Sequence, residues 1–175
     1  MSVGPDFSAR CIAREEIGLL GPDDVRKYVE EKRLDAEVLL VKEGHTSGLA
    51  ADSLSIDVES IAKTVVFVDE DRRPVLAIVR GGVKVRQGEF ARMVGAKKLR
   101  LATRDEVLEI TGFQAGGVSP IANLCKQRVF MDEGLMRSAY VYAGGGSEKH
   151  ILKIRPDDVL RESGAKLMEI PVQSH

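Results

Sequence analysis

Residues 116–120, which read Gly-Gly-Val-Ser-Pro, have the clearest chemical potential in this sequence. Two adjacent glycines release the backbone from steric limits, and Pro120 removes one N–H donor and stiffens the end of the segment. A rigid loop of this kind can present backbone N–H groups to a carbonyl oxygen or to an oxyanion. The alternative is an ordinary turn after a helix, because glycine and proline also collect in loops without a chemical role.

Lys63 is the second candidate, because it lies within the apolar run 61–67. An ammonium among apolar strand residues is unfavourable unless it faces a cleft or an anion. We therefore expect Lys63 to stay protonated and to orient or polarise a substrate, with a carbonyl, a hydroxyl or a phosphate as its partner. The alternative is a lysine that points into solvent from one face of a strand.

The sequence lacks two common nucleotide-binding patterns. Gly112 and Gly117 have the spacing of a phosphate-binding loop, but Val118 stands where that loop needs its lysine. No G-x-G-x-x-G pattern is present either. We therefore expect no ATP or NAD site, and the sequence indicates no other cofactor.

The two cysteines give no metal site. Cys11 and Cys125 each lack a second cysteine or a histidine at ligand spacing. A nucleophilic site would pair Cys125 with His45 or His150. A lone cysteine is more often a small buried core residue, so a thiol nucleophile stays an alternative.

The elements that would position these residues are short and occur in a mixed order. The predicted helices cover 22–33, 47–54, 89–94, 104–111 (opened by a Thr103–Glu106 capping box) and 156–163, before a cap at Gly164. The predicted strands cover 36–41, 61–68, 75–79, 98–102, 128–131, 139–142, 151–154 and 167–170. This order predicts an α+β fold: a single compact domain in which helices flank a mixed sheet or partial β-barrel.

The composition fits such a domain. Of the 175 residues, 43% are hydrophobic and 30% are charged, which is typical of one soluble globular unit. Charges in the first 20 residues argue against a signal peptide, and no apolar run approaches the roughly 20 residues of a membrane helix. We therefore expect a cytoplasmic protein without a membrane partner.

The order of the landmarks resembles that of the YbaK/ProX aminoacyl-tRNA deacylases, which include the editing domain inserted in bacterial prolyl-tRNA synthetases. The run around Lys63 resembles the family's strand with its characteristic lysine, and residues 116–120 resemble its G-x-x-x-P loop. Further matches are His45-Thr46 before Ala50-Ala51, residues 95–100 before a helix, and Met131-Asp132-Glu133. The resemblance covers residues 23–163, and we expect an editing domain over 21–175 after an N-terminal extension of 20 residues.

The resemblance implies hydrolysis, in trans, of the ester that joins a wrong amino acid to the 3′ end of a tRNA. An aminoacyl ester is reactive, so such a site needs neither a metal nor a covalent nucleophile. Lys63 and Gly116 are the implied catalytic residues. The implied substrate-binding residues are His45, Thr46, Gly117, Val118, Ser119, Pro120, Asp132 and His150. Cysteine, alanine and serine are all family substrates, with the proline tRNA as one carrier, and a synthetase is a further implied partner.

His150 follows a glycine loop similar to the one in the synthetase-inserted domain, but many free-standing members lack this histidine. A hydrogen bond to substrate and an ordinary histidine at the start of a strand are both open for it. The chain departs from the family at one place. After Pro120 the chain has Ile121-Ala122-Asn123, where many relatives carry a larger residue and then glycine. The wall of the loop, and with it the choice of amino acid, is expected to differ.

The charge distribution supports a nucleic-acid partner that the net charge of −1 conceals. Between residues 72 and 104 there are ten Lys and Arg against Glu89 alone, so this stretch carries +9 and the remainder −10. Such a run of charges usually forms a solvent-exposed face. Together with the motifs, it predicts a surface that binds the phosphates of a nucleic acid. The predicted tRNA-binding residues are Arg80, Lys84, Arg86, Lys97, Lys98 and Arg100. Phe90 is the one aromatic residue there, so base stacking is not indicated.

Two other functions remain open from the sequence. One is a catalytically silent relative that binds tRNA or a synthetase as a regulatory module. The other is a small-molecule ester hydrolase that uses Cys125. The oligomeric state cannot be read from the sequence.

Overall fold

The computed structural model describes residues 19–42 and 47–174, in which five α-helices flank a mixed β-sheet. The helices are α1 (Pro22–Glu31), α2 (Ser47–Leu54), α3 (Gln87–Met93), α4 (Arg104–Thr111) and α5 (Pro156–Ser163). The strands, β1 to β10, are Ala36–Leu40, Ile61–Asp69, Pro74–Arg80, Val83–Val85, Leu99–Leu101, Val129–Asp132, Val141–Gly144, His150–Ile154, Lys166–Met168 and Val172–Ser174. Short 3₁₀ turns cover Val58–Ser60 and Glu133–Arg137. The predicted α+β class is confirmed, and no helix in this part of the chain has the length and apolar character to cross a membrane.

The main sheet has the strand order β1-β8-β7-β2-β3-β6-β9, and β5 pairs with the far end of β2. Strand β2 runs antiparallel to β3 and parallel to β7, whereas β6 runs parallel to both β3 and β9. Strands β4 and β10 form a separate antiparallel ribbon. Hairpins and crossovers are therefore both used, as the mixed order of elements predicted.

The hairpin of β2 and β3 lies at the centre of the fold, and both of its faces are covered. Val66 packs into one core with Phe113, and Phe67 packs into a second core with Phe90, edge to face at 5.9 Å between ring centroids. Successive side chains of a strand point to opposite faces, so a strand covered on both sides reads as an unbroken apolar run. Lys63 interrupts that run near the start of β2.

The far end of this hairpin is held by the buried carboxylate of Asp69. It accepts hydrogen bonds from the backbone N–H groups of Asp71 and Arg73, each at 2.9 Å, and from the Arg128 guanidinium at 2.8 Å. Burial alone would raise the pKa of Asp69, but these donors outweigh burial and hold the pKa below its ordinary value. The strand that carries Lys63 is thereby fixed at its other end.

Helix α4 leads directly into the glycine–proline segment. Its first turn is closed by the predicted capping box, in which Glu106 N–H donates to Thr103 Oγ1 and Thr103 N–H donates to Glu106 Oε1, both at 3.2 Å. Gly112, with φ of +85°, ends the helix in the left-handed conformation. Gly164 ends α5 in the same way, as predicted.

The sequence did not predict strands β4 and β10. Each has three residues, too few for a periodic signal, and each forms because its partner lies opposite it in the folded chain. The predicted last strand, 167–170, is observed as Lys166–Met168.

Candidate functional site

A cleft of about 600 Å³ lies at the start of β2. It is lined by Ser47, Gly48, Ala50, Val58, Ile61, Ala62, Lys63, Thr64, Gly82, Gly116, Val118, Ala143, Gly144 and Ile151. The cleft brings together three residues that the sequence predicted for the site, namely Lys63, Gly116 and Val118. Most of its walls are apolar, so the few polar groups determine what it can bind.

Lys63 is half-buried, and its Nζ donates a hydrogen bond to the carbonyl oxygen of Val83 at 2.6 Å. Burial lowers the pKa of Lys63 from its ordinary value, because an ammonium loses hydration there. A protonated ammonium has three N–H donors, and Val83 takes one of them. The described residues occupy neither of the other two donors.

Thr64 is a polar lining residue that the sequence analysis missed. Its Oγ1 is buried and has no hydrogen-bond partner among the residues that the structure describes. A buried hydroxyl without a partner is unfavourable and indicates a bound water or ligand group. Its position next to Lys63 in the sequence was the one signal that could have identified it as a site residue. Threonine is also common in ordinary strands, so this signal is weak.

The glycine–proline loop contributes backbone donors to the same cleft. Gly116 has φ of +94°, a conformation that favours glycine, and Gly117 N–H donates to Gln114 O at 3.1 Å. The N–H groups of Gly116 and Val118 donate to no other residue in the described ranges. Gly116, Val118 and Lys63 thus line one cleft, and the N–H groups of Gly116 and Val118 have no acceptor among the described residues.

Buried polar contacts stabilise the glycine–proline loop. Ser119 is fully buried, and its carbonyl oxygen accepts a hydrogen bond from Asn123 Nδ2 at 2.9 Å. Asn123 Oδ1 in turn accepts from Cys125 N–H at 3.0 Å. These contacts hold Pro120 and the preceding donors in one conformation, as preorganised binding requires.

A second glycine loop, residues 144–146, packs tightly against the first. Gly146 N–H donates to Gly117 O at 3.0 Å. A Cβ on Gly144 would overlap the Val118 carbonyl oxygen, and a Cβ on Gly117 would lie 2.6 Å from Ser147 Cα. The glycines at these two contacts therefore allow a close approach of two backbones.

The other predicted substrate-binding residues have different positions. His150 starts β8, and its Nδ1 lies 2.6 Å from Ser147 Oγ. Asp132 is buried outside the cleft, where Oδ2 lies 3.2 Å from Arg80 Nε and Oδ1 accepts from Ile170 N–H at 3.2 Å. Ser119 and Pro120 support the loop from within the fold. His45 and Thr46 lie outside the described residues, as do Cys11 and the first 18 residues.

The six basic residues predicted to contact tRNA fall into two groups. Arg80, Arg86 and Arg100 lie in ion pairs, with Asp132, Glu89 and Glu106 respectively. Arg100 makes two contacts with Glu106, at 2.9 and 3.2 Å, and lowers the pKa of that carboxyl to about 2. Lys84, Lys97 and Lys98 are exposed, and their ammonium groups form no ion pair within the described part of the chain. Lys84 directly follows Val83, the residue that holds Lys63.

Cys125 lies away from the cleft. It is buried in the main core, and its Sγ contacts Gln127 O at 3.3 Å. Residues 19–42 and 47–174 also contain no group of three or more His, Cys, Asp or Glu that could bind a metal ion.

Comparison with solved structures gives the same fold. A protein provisionally assigned as a trans-editing enzyme for prolyl-tRNA synthetase superposes with a TM-score of 0.76 and 30% identity, over 86% of this chain and 96% of that one. The hypothetical protein APE2540 superposes with a TM-score of 0.75 at 24% identity and supports the fold alone.

Comparison with known sequences identifies the family. The uncharacterised Bacillus subtilis protein YwhH is 28% identical over 118 residues, 67% of this chain and 74% of YwhH. The proline–tRNA ligase of Lactobacillus johnsonii is 30% identical over 98 residues, 56% of this chain but 17% of the ligase. The model of the aminoacyl-tRNA editing domain matches residues 41–162. This chain therefore belongs to the aminoacyl-tRNA editing domain family, as its sequence landmarks predicted.

Proposed function

We propose that this protein is a trans-acting aminoacyl-tRNA deacylase that hydrolyses the ester of a mischarged tRNA in translation quality control. The observation that carries the proposal is the shared cleft of Lys63, Gly116 and Val118. Its residues carry an ammonium and two backbone N–H groups that have no acceptor among the described residues. These are donors suited to an ester carbonyl and to the oxyanion that forms from it.

The reaction requires only water as the nucleophile. Water adds to the ester carbonyl carbon, and the resulting oxyanion accepts hydrogen bonds from the N–H groups of Gly116 and Val118. Collapse of this intermediate breaks the bond to the ribose oxygen. The proton lost by the water passes to that oxygen, directly or through the neighbouring 2′-hydroxyl. Lys63 stays protonated and orients the ester or the ribose by its two free donors.

The apolar walls of the cleft suit a small, uncharged amino-acid side chain. Ile61, Val118, Ala143 and Ile151 contribute these walls, and the described lining residues include no carboxylate to receive a basic side chain. Alanine, cysteine and serine fit this chemistry, on the proline tRNA or on another carrier. Pocket shape distinguishes such side chains weakly, by about 10- to 200-fold per methylene.

The tRNA body would lie over the exposed Lys84 in β4, which adjoins the residue that holds Lys63. Lys97 and Lys98 lie at the other end of β2, where their backbone N–H groups donate to Glu70, and would extend the contact with the phosphates. Binding through phosphates weakens as salt concentration rises, so affinity for tRNA should fall from 50 to 200 mM salt. A synthetase is a second possible partner for the same surface.

The test is a panel of alanyl-, cysteinyl- and seryl-tRNAs, each on the proline tRNA and on its own tRNA, incubated with wild type and with Lys63→Ala. Hydrolysis by wild type of at least one member, with a loss of about 100-fold in Lys63→Ala, is expected. A wild-type protein that binds tRNA but hydrolyses none would instead favour the silent binding module. Inhibition by a thiol-blocking reagent would support the Cys125 alternative, although burial of that thiol argues against it.

A further inference from the structure

The carboxylate of Glu148 lies directly against Gly116. A Cβ placed on Gly116 would be 3.1 Å from both Cγ and Oε1 of Glu148. The backbones of the two loops are held together here, since Gly117 is packed on Ser147 and Gly146 N–H donates to Gly117 O. The position of Glu148 beside the glycine–proline loop is therefore set by the fold.

The Glu148 carboxylate has no partner in the part of the chain that the structure describes. It forms no hydrogen bond or ion pair with any residue of the described ranges, although the exposed Arg104 and Lys149 line the same neighbouring recess of about 500 Å³. Glu148 is exposed and lines this recess, whereas Gly116 lines the cleft. A carboxylate without a partner in the described part of the chain thus lies beside a residue of the cleft wall.

We infer that Glu148 binds the α-ammonium group of the aminoacyl ester and so restricts the protein to esters of amino acids with a free amino group. The inference rests on the proposed function. In the substrate the α-nitrogen is two bonds from the carbonyl carbon, a separation of about 2.5 Å. If the Gly116 N–H donates to the carbonyl oxygen, the α-ammonium lies within reach of a carboxylate that touches Gly116.

The chemistry of the substrate fits this arrangement. The α-amino group of an aminoacyl ester is largely protonated near neutral pH and has three N–H donors. A hydrogen bond between an ammonium and a carboxylate is stronger than one between neutral groups. An N-acylated aminoacyl ester has no such charge, and it adds bulk where Glu148 lies.

Binding of stable analogues tests this inference without turnover. We would prepare an RNA minihelix whose 3′ end carries alanine through an amide bond, with the α-amino group either free or acetylated. Wild type should bind the free-amine form about tenfold more tightly, because the acetyl group removes a charge-assisted hydrogen bond. Glu148→Gln should bind both forms equally and should bind the acetylated form as wild type does, which also checks that the loop is intact.

Asp105→Asn is the matched control, because Asp105 is an exposed carboxylate that lines the same recess, whereas the three atoms nearest to a Cβ on Gly116 all belong to Glu148. It should keep the wild-type preference. An unchanged preference in Glu148→Gln, or an equal loss in Asp105→Asn, would overturn the role of Glu148 and leave the deacylase proposal standing. Failure of wild type to bind either analogue would reject the proposed function and the inference with it.

Discussion

The Lys63 ammonium donates a 2.6 Å hydrogen bond to the carbonyl oxygen of Val83, and Val83 lies opposite Ser174 in the ribbon of β4 and β10. The last described strand therefore supports the residue that holds Lys63. Strand β10 lies beyond residue 162, where the match to the editing-domain model ends. The position of the lysine thus depends on a segment outside the matched region.

The first prediction concerns the pH dependence of hydrolysis. Lys63 acts in its protonated form, and burial lowers its pKa from the ordinary 10.5. Enzymatic kcat/KM should therefore fall as pH rises through the lowered pKa, below pH 10.5, after subtraction of hydroxide-catalysed hydrolysis. The measurement is a pH–rate profile, and Lys63→Arg should move the alkaline decline upward because arginine stays charged. The same alkaline decline in both proteins would assign it to another group.

The second prediction concerns the β4–β10 ribbon. Gln173 lies opposite Lys84, and proline at position 173 would remove a backbone donor and disturb the pairing. Gln173→Pro should reduce kcat by roughly tenfold through displacement of Val83, the scale of a misplaced catalytic group. Gln173→Thr keeps the strand and should retain activity. A structural effect alone would lower the melting temperature and leave kcat unchanged, so both quantities are measured.

Much of the fold followed from local signals in the sequence. The α4 capping box, the glycine that ends α5, and the apolar runs of β2 and β3 each depend on neighbouring residues, so the sequence predicted them. The ribbon of β4 and β10 depends on pairing between distant residues and has no local signal. The same reason explains why Val83 was not expected near Lys63.

In the candidate site, too, the residues with local sequence signals were predicted and those that depend on contacts in the folded chain were not. Lys63 and Gly116 carried their own signals, namely a charge in an apolar run and a glycine pair before proline. Thr64 is common in any strand, and Glu148 gains meaning only from its contact with Gly116 in the folded chain. The sequence placed Asp132 among the substrate-binding residues, whereas its contacts with Arg80 and Ile170 lie outside the cleft.

The third prediction concerns Ala122, which follows the glycine–proline loop. Ala122 has φ of +61°, a left-handed conformation that disfavours any residue with a Cβ. Ala122→Gly should raise the free energy of unfolding by about 0.5–1 kcal/mol, net of the greater entropy of unfolded glycine. Ala115→Gly, in the same loop at a negative φ, should lower it. Urea denaturation measures both, and a destabilising Ala122→Gly would contradict the prediction.

The fourth prediction tests whether the backbone conformation of Gly116, rather than added bulk in the cleft, determines the rate of hydrolysis. Gly116→Ala places a Cβ at φ of +94°, where the backbone is strained, and 3.1 Å from the Glu148 side chain, which must move. Hydrolysis should fall by about 100-fold, the loss typical of removing one oxyanion donor, while the fold is retained. Gly48 also lines the cleft, but no described heavy atom outside its own helix backbone and chain neighbours lies within 4 Å of its Cβ position. Gly48→Ala should therefore keep near-normal turnover, because helix α2 accommodates alanine. Equal losses in the two variants, measured by single-turnover hydrolysis, would show that added bulk in the cleft is responsible rather than displaced N–H donors.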